Sequence, residues 1–195
     1  MQQINCPIKN NLINYTTAVL RTAKPMPGRE NLFHAMVGIA TEVDEIQEVL
    51  TQYNWEDDLV QAEAHLGEEL GDVLWYIALG LHYLNVSTEE VAQFLETVDY
   101  DGQKVHDLQK PATKLLNFYK KERYYGKAIA DADIRNQLLE VYARCEAITE
   151  YMCVDLAEIM QANANKLAVR YAEAWSLSEC EGRNLDAEVA TFWTR

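Results

Sequence analysis

The sequence predicts an all-α helical bundle, and three observations carry that expectation. Apolar residues recur at intervals of three and four along every long segment. No strand-like alternation survives anywhere. The 195 residues include only 8 glycines and 4 prolines, too few for a loop-rich β-sandwich or a collagen-like fibre. The length suits one domain, 1–195, able to bury a core without staples, and neither an internal repeat nor a low-complexity linker divides it.

A first helix is expected from Asn11 to Ala23, stopped by Pro25-Met26-Pro27-Gly28, because neither proline continues a helix. The second runs from about Glu30 to Tyr53, with Phe33, Met36, Ile39, Val43, Ile46 and Leu50 as its apolar stripe. After a polar break at Asn54 to Asp58, the third runs from about Val60 to Leu84. Ser87-Thr88-Glu89-Glu90 has the form of a capping box and opens a short helix to about Val98. Tyr100-Asp101-Gly102 reads as a turn. The basic amphipathic segment Lys114 to Lys127 ends with Gly126 as its C-cap. Long helices follow at Ile134 to Met152 and Val154 to Trp175; past Ser176 the chain turns polar, with a helical turn or two expected near Asp186 to Trp193.

Seventeen Lys+Arg against 31 Asp+Glu give a formal charge of −14. A hydrophobic content of 49% excludes a disordered acidic tail. The charge argues against nucleic acid and anionic lipid as partners, since both recruit basic faces. The four cysteines lack metal-binding or framework spacing and read as thiols of a reducing compartment. With no signal-like start and no apolar window longer than Val73 to Leu84, the expected location is the cytoplasm. Three readings remain open: a plain acidic scaffold, a DNA-mimicking decoy for basic partners, or carboxylates that hold metal.

Two carboxylate pairs favour the last. Glu42 and Glu45 on the second helix, and Glu69 and Asp72 on the third, are each spaced i, i+3 and so share a helix face. Glu42 and Glu45 flank the apolar stripe, whereas Asp44 and Glu48 point away from it. Glu68, Glu69 and Asp72 open the nearly all-apolar run VLWYIALGLHYL, and carboxylates beside a core need a proton, a cation or a metal. Two such pairs on consecutive antiparallel helices would make an all-oxygen site suited to Mg²⁺, with Mn²⁺ as substitute. Acidic pairs on helices are also commonly just solvated surface. A ferritin-like di-iron site is excluded by its own pattern, since none of His34, His65, His82 or His106 has a glutamate three residues before it.

Glu42-x-x-Glu45, a gap of 23 residues, then Glu69-x-x-Asp72 resembles the ExxE…ExxD motif of MazG-type nucleotide pyrophosphohydrolases. These belong to the all-α NTP pyrophosphatase superfamily, with dimeric dUTPases and HisE-type phosphoribosyl-ATP enzymes. EELGDVLWYIA is similar to the family's acid-then-apolar segment, and Asn163-x-x-Lys166-Leu167-x-x-Arg170-Tyr171 to its N-x-x-K-L-x-x-R-Y segment. The likeness covers about Glu42 to Tyr171. Thr41 stands where many members carry another glutamate, Ala172 replaces a proline that often follows R-Y, and the segment of about 94–135 is longer than in minimal members.

The resemblance implies hydrolysis of a ribo- or deoxynucleoside triphosphate between the α and β phosphates, giving the monophosphate and pyrophosphate. It implies a metal held by Glu42, Glu45, Glu69 and Asp72, water orientation or deprotonation by Glu42 or Glu45, and phosphate contacts from Asn163, Lys166 and Arg170. It further implies a homodimer or homotetramer, in keeping with the wide apolar helix faces. Within the basic cluster of Lys114, Lys120, Lys121, Arg123 and Lys127, Lys127 is the candidate phosphate ligand, against a reading as charge balance. His34, Asn31, Trp75 and Tyr76 lie near the motifs and are candidates for a base and sugar pocket, against ordinary core roles.

Overall fold

The computed structural model describes residues 7–27, 29–98, 108–182 and 188. Among these the secondary structure is all α-helical: α1 (Pro7–Thr22), α2 (Glu30–Gln52), α3 (Leu59–Tyr83), α4 (Thr88–Leu95), α5 (Gln109–Tyr125), α6 (Asp131–Tyr151), α7 (Leu156–Arg170) and α8 (Leu177–Glu181). The expected all-α architecture is therefore observed. The expected turn at 100–102 and, apart from Glu188, the expected helix near 186–193 lie outside the described residues. None of the described helices is long and apolar enough to cross a membrane.

α3 is the central element. It packs against α1, α2, α6 and α7, so it is buried on nearly every side from Leu66 to Leu81. Its sequence is apolar almost all round for that reason. Close approaches between Ala35 and Gly80, Gly38 and Tyr76, and Tyr53 and His65 fall in opposite order along α2 and α3, which makes the two helices antiparallel. In α2, Met36, Ile39, Val43 and Ile46 are fully buried, while Phe33 and Leu50 complete the stripe at the margin of the core.

Local chemistry sets most boundaries. Pro7 occupies the first helical position of α1, where a missing N–H costs nothing, so α1 starts earlier than Asn11. The capping box at Ser87 is formed in both directions: the Ser87 hydroxyl accepts from the Glu90 N–H and the Glu90 carboxylate from the Ser87 N–H. Gly126 closes α5 with φ 61, a left-handed conformation that suits glycine. At its far end α7 stops at Arg170 rather than Trp175. The Arg21 guanidinium draws the Tyr171 and Glu173 carbonyls toward α1 at 2.9 and 3.0 Å, and the Trp175 N–H donates to the Arg21 carbonyl. The redirected chain leads into α8, a short helix capped by Ser176 that was not anticipated from the polar composition of this stretch.

Candidate metal centre

Between α2, α3 and α7 lies a cavity of about 630 Å³, within the size range of small-molecule sites. Part of its lining is acidic. Glu42 from α2 and Glu69 and Asp72 from α3 each present a carboxylate oxygen within 4.8 Å of the other two. Antiparallel packing brings the two i, i+3 acid pairs opposite each other, which is how the sequence spacing becomes a cluster. Glu45 and Glu68 line the same cavity, but Glu45 is exposed at its edge and stands outside the three-carboxylate cluster.

Crowding alters the acids. Burial, reinforced by Asp72 and Glu45, pushes the Glu42 carboxyl up to about 7. Burial, then Asp72, Glu45, Glu68 and Glu42, pushes Glu69 up to about 8. Like charges at this spacing resist ionising together unless a cation joins them. The donor set is all oxygen and the cluster short of positive charge, which fits a hard divalent cation such as Mg²⁺ or Mn²⁺.

The chain sets a cation of its own against the acids. Lys166, wholly buried, places Nζ 2.7 and 2.6 Å from the two oxygens of Asp72 and 3.5 Å from Glu68 Oε1. Asn163, also wholly buried, donates from Nδ2 to Asp72 Oδ1 at 2.6 Å and accepts from the Tyr15 hydroxyl at 2.8 Å. A Cβ on Gly71 would stand 2.9 Å from Asn163 Cβ, so a glycine at this point of α3 lets α7 approach closely enough for both contacts. Asn163 and Lys166, expected to contact phosphate, are thus spent on Asp72 and are not among the residues that line the cavity. Helical spacing gave them one shared face, but not the direction in which that face turns.

Arg170 does line the cavity, where its guanidinium pairs with the carboxylate of Glu188. Lys127 follows the cap at Gly126, is exposed and does not line the cavity. Asn31 is wholly buried and is not among the cavity-lining residues; it donates to the Met26 carbonyl at 2.8 Å and so anchors the turn before α2.

Aromatic side chains line the cavity as well, and Tyr76 lies near enough to Glu42, Asp72 and Glu45 to feel their charge. His34, Trp75 and Tyr76 meet edge to face, with ring centroids 4.9 to 6.0 Å apart. The Trp75 indole N–H donates to the Thr22 hydroxyl at 3.0 Å, and the Tyr76 ring fills the space left by Gly38. Burial and the neighbouring Lys24 hold His34 below its ordinary value, favouring the neutral ring. Lys24 lies 5.3 Å from the ring centre of Trp175, and both reach the cavity. Sequence reading missed Lys24, His65, Tyr171, Trp175 and Cys180 as cavity residues. Two of these carried a local signal: His65 stands one helical turn before Glu69, and Tyr171 closes the segment that begins at Asn163.

The fold and this cavity define an all-α protein with a carboxylate cluster and aromatic side chains lining one cavity. Protein-family models, curated proteins and solved structures provide no match to the chain.

Proposed function

We propose that the protein is a Mg²⁺-dependent nucleoside triphosphate pyrophosphohydrolase that splits its substrate between the α and β phosphates, working on nucleotide pools in the cytoplasm. The observation that carries this reading is the convergence of Glu42, Glu69 and Asp72 in a cavity that also offers a cation, Arg170, and an aromatic wall. The motif resemblance adds the choice of bond. A polyanion has no electrostatic reason to enter an acidic cavity unless the carboxylates first recruit a cation, which makes the cluster the gatekeeper of binding.

Glu42, Glu69 and Asp72 would hold the ion. When bound, the ion supplies the positive charge a triphosphate needs and acidifies water at the site. Glu45, outside the ligand cluster yet on the same cavity wall, is the better proton acceptor, because its lone pairs are not committed to metal. The attacking water forms a bond to the α phosphorus, its proton passes to Glu45, and the bond to the bridging oxygen breaks to release pyrophosphate. Arg170 exchanges Glu188 for phosphate oxygens, and His34, Trp75 and Tyr76 receive the base and sugar.

We further propose a homodimer or homotetramer. Ile13 and Leu20 project from α1 at 52% and 36% exposure beside a groove shared with α3 and α4 that mixes apolar and polar side chains, a surface suited to a second copy. Light scattering that returns a monomer at working concentration would contradict this.

The test of activity is a screen of ribo- and deoxynucleoside triphosphates with Mg²⁺ or Mn²⁺, scored for pyrophosphate. Pyrophosphate release is expected, with Glu69→Gln losing at least about 100-fold in turnover while remaining helical. Release of orthophosphate instead, or no turnover with any nucleotide and either metal, would refute the reading.

A further inference from the structure

The Tyr53 hydroxyl lies 3.2 Å from Nδ1 of His65, and Nε2 of the same ring lies 3.2 Å from Oε1 of Glu69. Tyr53 is the C-cap residue of α2, while His65 and Glu69 are successive residues on one face of α3. The two rings meet edge to face at 5.9 Å, which fixes the imidazole in its plane. His65 and Glu69 both line the cavity, and Glu69 is only 6% exposed.

We infer that Tyr53 and His65 act as positioning residues for Glu69, a relay that aims this carboxylate at the metal cluster. The inference rests on the metal-site reading above. Proton inventory sets its direction. A Glu69 that holds a cation is ionised and offers only lone pairs, so in that state Nε2 carries the ring hydrogen. Nδ1 is then an acceptor, and the Tyr53 hydroxyl must donate to it. The chain of donors therefore runs one way, from Tyr53 through His65 to Oε1, and leaves Oε2 without this tie. Asp72 is oriented by Lys166 and Asn163 from α7, whereas Glu69 receives its orientation from the α2–α3 junction. Two independent supports thus converge on one cluster. Outer hydrogen-bond partners of this type commonly govern metal affinity by about 10- to 100-fold.

A lock that merely fastened the end of α2 to α3 would show up in stability alone. The relay adds a dependence on the donor atom and on the order of the links. The experiment titrates Mn²⁺ into the nucleotide-free full-length protein and reads free Mn²⁺ by electron paramagnetic resonance, beside a thermal melt in chelator.

His65→Ala is expected to weaken Mn²⁺ binding by about 10-fold or more, and His65→Gln, whose amide can still donate toward Glu69, to retain most of it. Tyr53→Phe should cost less than His65→Ala, and the double variant should bind no more weakly than His65→Ala, because the tyrosine acts only through the histidine. Mn²⁺ affinity within twofold of wild type in His65→Ala, even with a lowered melting temperature, would overturn the relay. So would independent, additive losses in the double variant. If Mn²⁺ binds and follows this pattern but no nucleotide is hydrolysed, the relay stands and the proposed reaction falls. If nucleotide is hydrolysed while His65→Ala binds Mn²⁺ normally, the reaction stands and the relay falls. A wild-type chain that binds no Mn²⁺ overturns both.

Discussion

Lys166 Nζ sits 2.6 Å from one oxygen of Asp72 and 2.7 Å from the other, with the lysine side chain wholly enclosed. An ammonium taken fully out of water is stable there only because the acids face it. The acids in turn depend on it. Lys166→Met keeps much of the packing and removes the charge, leaving Asp72 and Glu68 uncompensated. Since both carboxylates retain some access to water, the expected loss is about 2–4 kcal/mol in urea unfolding. A loss under about 0.5 kcal/mol would mean that water, not Lys166, neutralises these groups.

Two raised carboxyls give the metal-free protein a pH signature. Glu42 near 7 and Glu69 near 8 stand above the ordinary carboxyl value of about 4.3 that they regain on unfolding. Between those values the folded state holds more protons than the unfolded one. Their contribution to stability is therefore complete at low pH and declines as pH rises through 7 and 8. In chelator, the melting temperature should fall from pH 5 to pH 8, and Glu69→Gln should flatten that fall. An unchanged slope in the variant would show that Glu69 titrates normally.

Gly71→Ala would drive a methyl group into Asn163, whose Cβ stands 2.9 Å from the added atom. α7 or the Asn163 side chain must then yield. The expected cost is about 1–3 kcal/mol in unfolding, accompanied by weaker Mn²⁺ binding as Asp72 loses its amide partner. Retention of wild-type affinity would show that Asn163 does not help to place Asp72.

Arg170 should distinguish phosphate binding from chemistry. With the guanidinium removed in Arg170→Ala, KM for the nucleotide is expected to rise about 10-fold or more, as for the loss of a charge-assisted contact, with a smaller change in kcat. Steady-state kinetics at saturating Mg²⁺ measures both. A KM within twofold of wild type would remove Arg170 from the site.

The acid cluster was legible in the sequence because it depends on two local facts: i, i+3 spacing on each helix and a short connection that makes α2 and α3 antiparallel. Glu42, Glu69 and Asp72 meet accordingly. Glu45 shared the spacing and its charge still acts on Glu42 and Glu69, but it is exposed and stands outside the three-carboxylate cluster. Contacts between distant segments were not legible. Nothing local indicated that Gly71 would admit α7, turning Asn163 and Lys166 inward onto Asp72. Nor did the apolar and polar pattern around Tyr171 reveal that Arg21, far earlier in the chain, would end α7 and swing Trp175 and Cys180 to the cavity. Asn31 is near a motif in sequence, yet its side chain is wholly buried and held by the Met26 carbonyl, a contact that sequence nearness does not show.

A chelator strips a protein of every ion it has borrowed, but Lys166 is covalently part of the chain. The acid cluster consequently never faces its own repulsion wholly unaided. Where a zinc finger collapses in EDTA because its metal is its core, this bundle should emerge from dialysis against EDTA still folded. The apo-protein would then be a stable species that can be refilled with a cation of the experimenter's choosing.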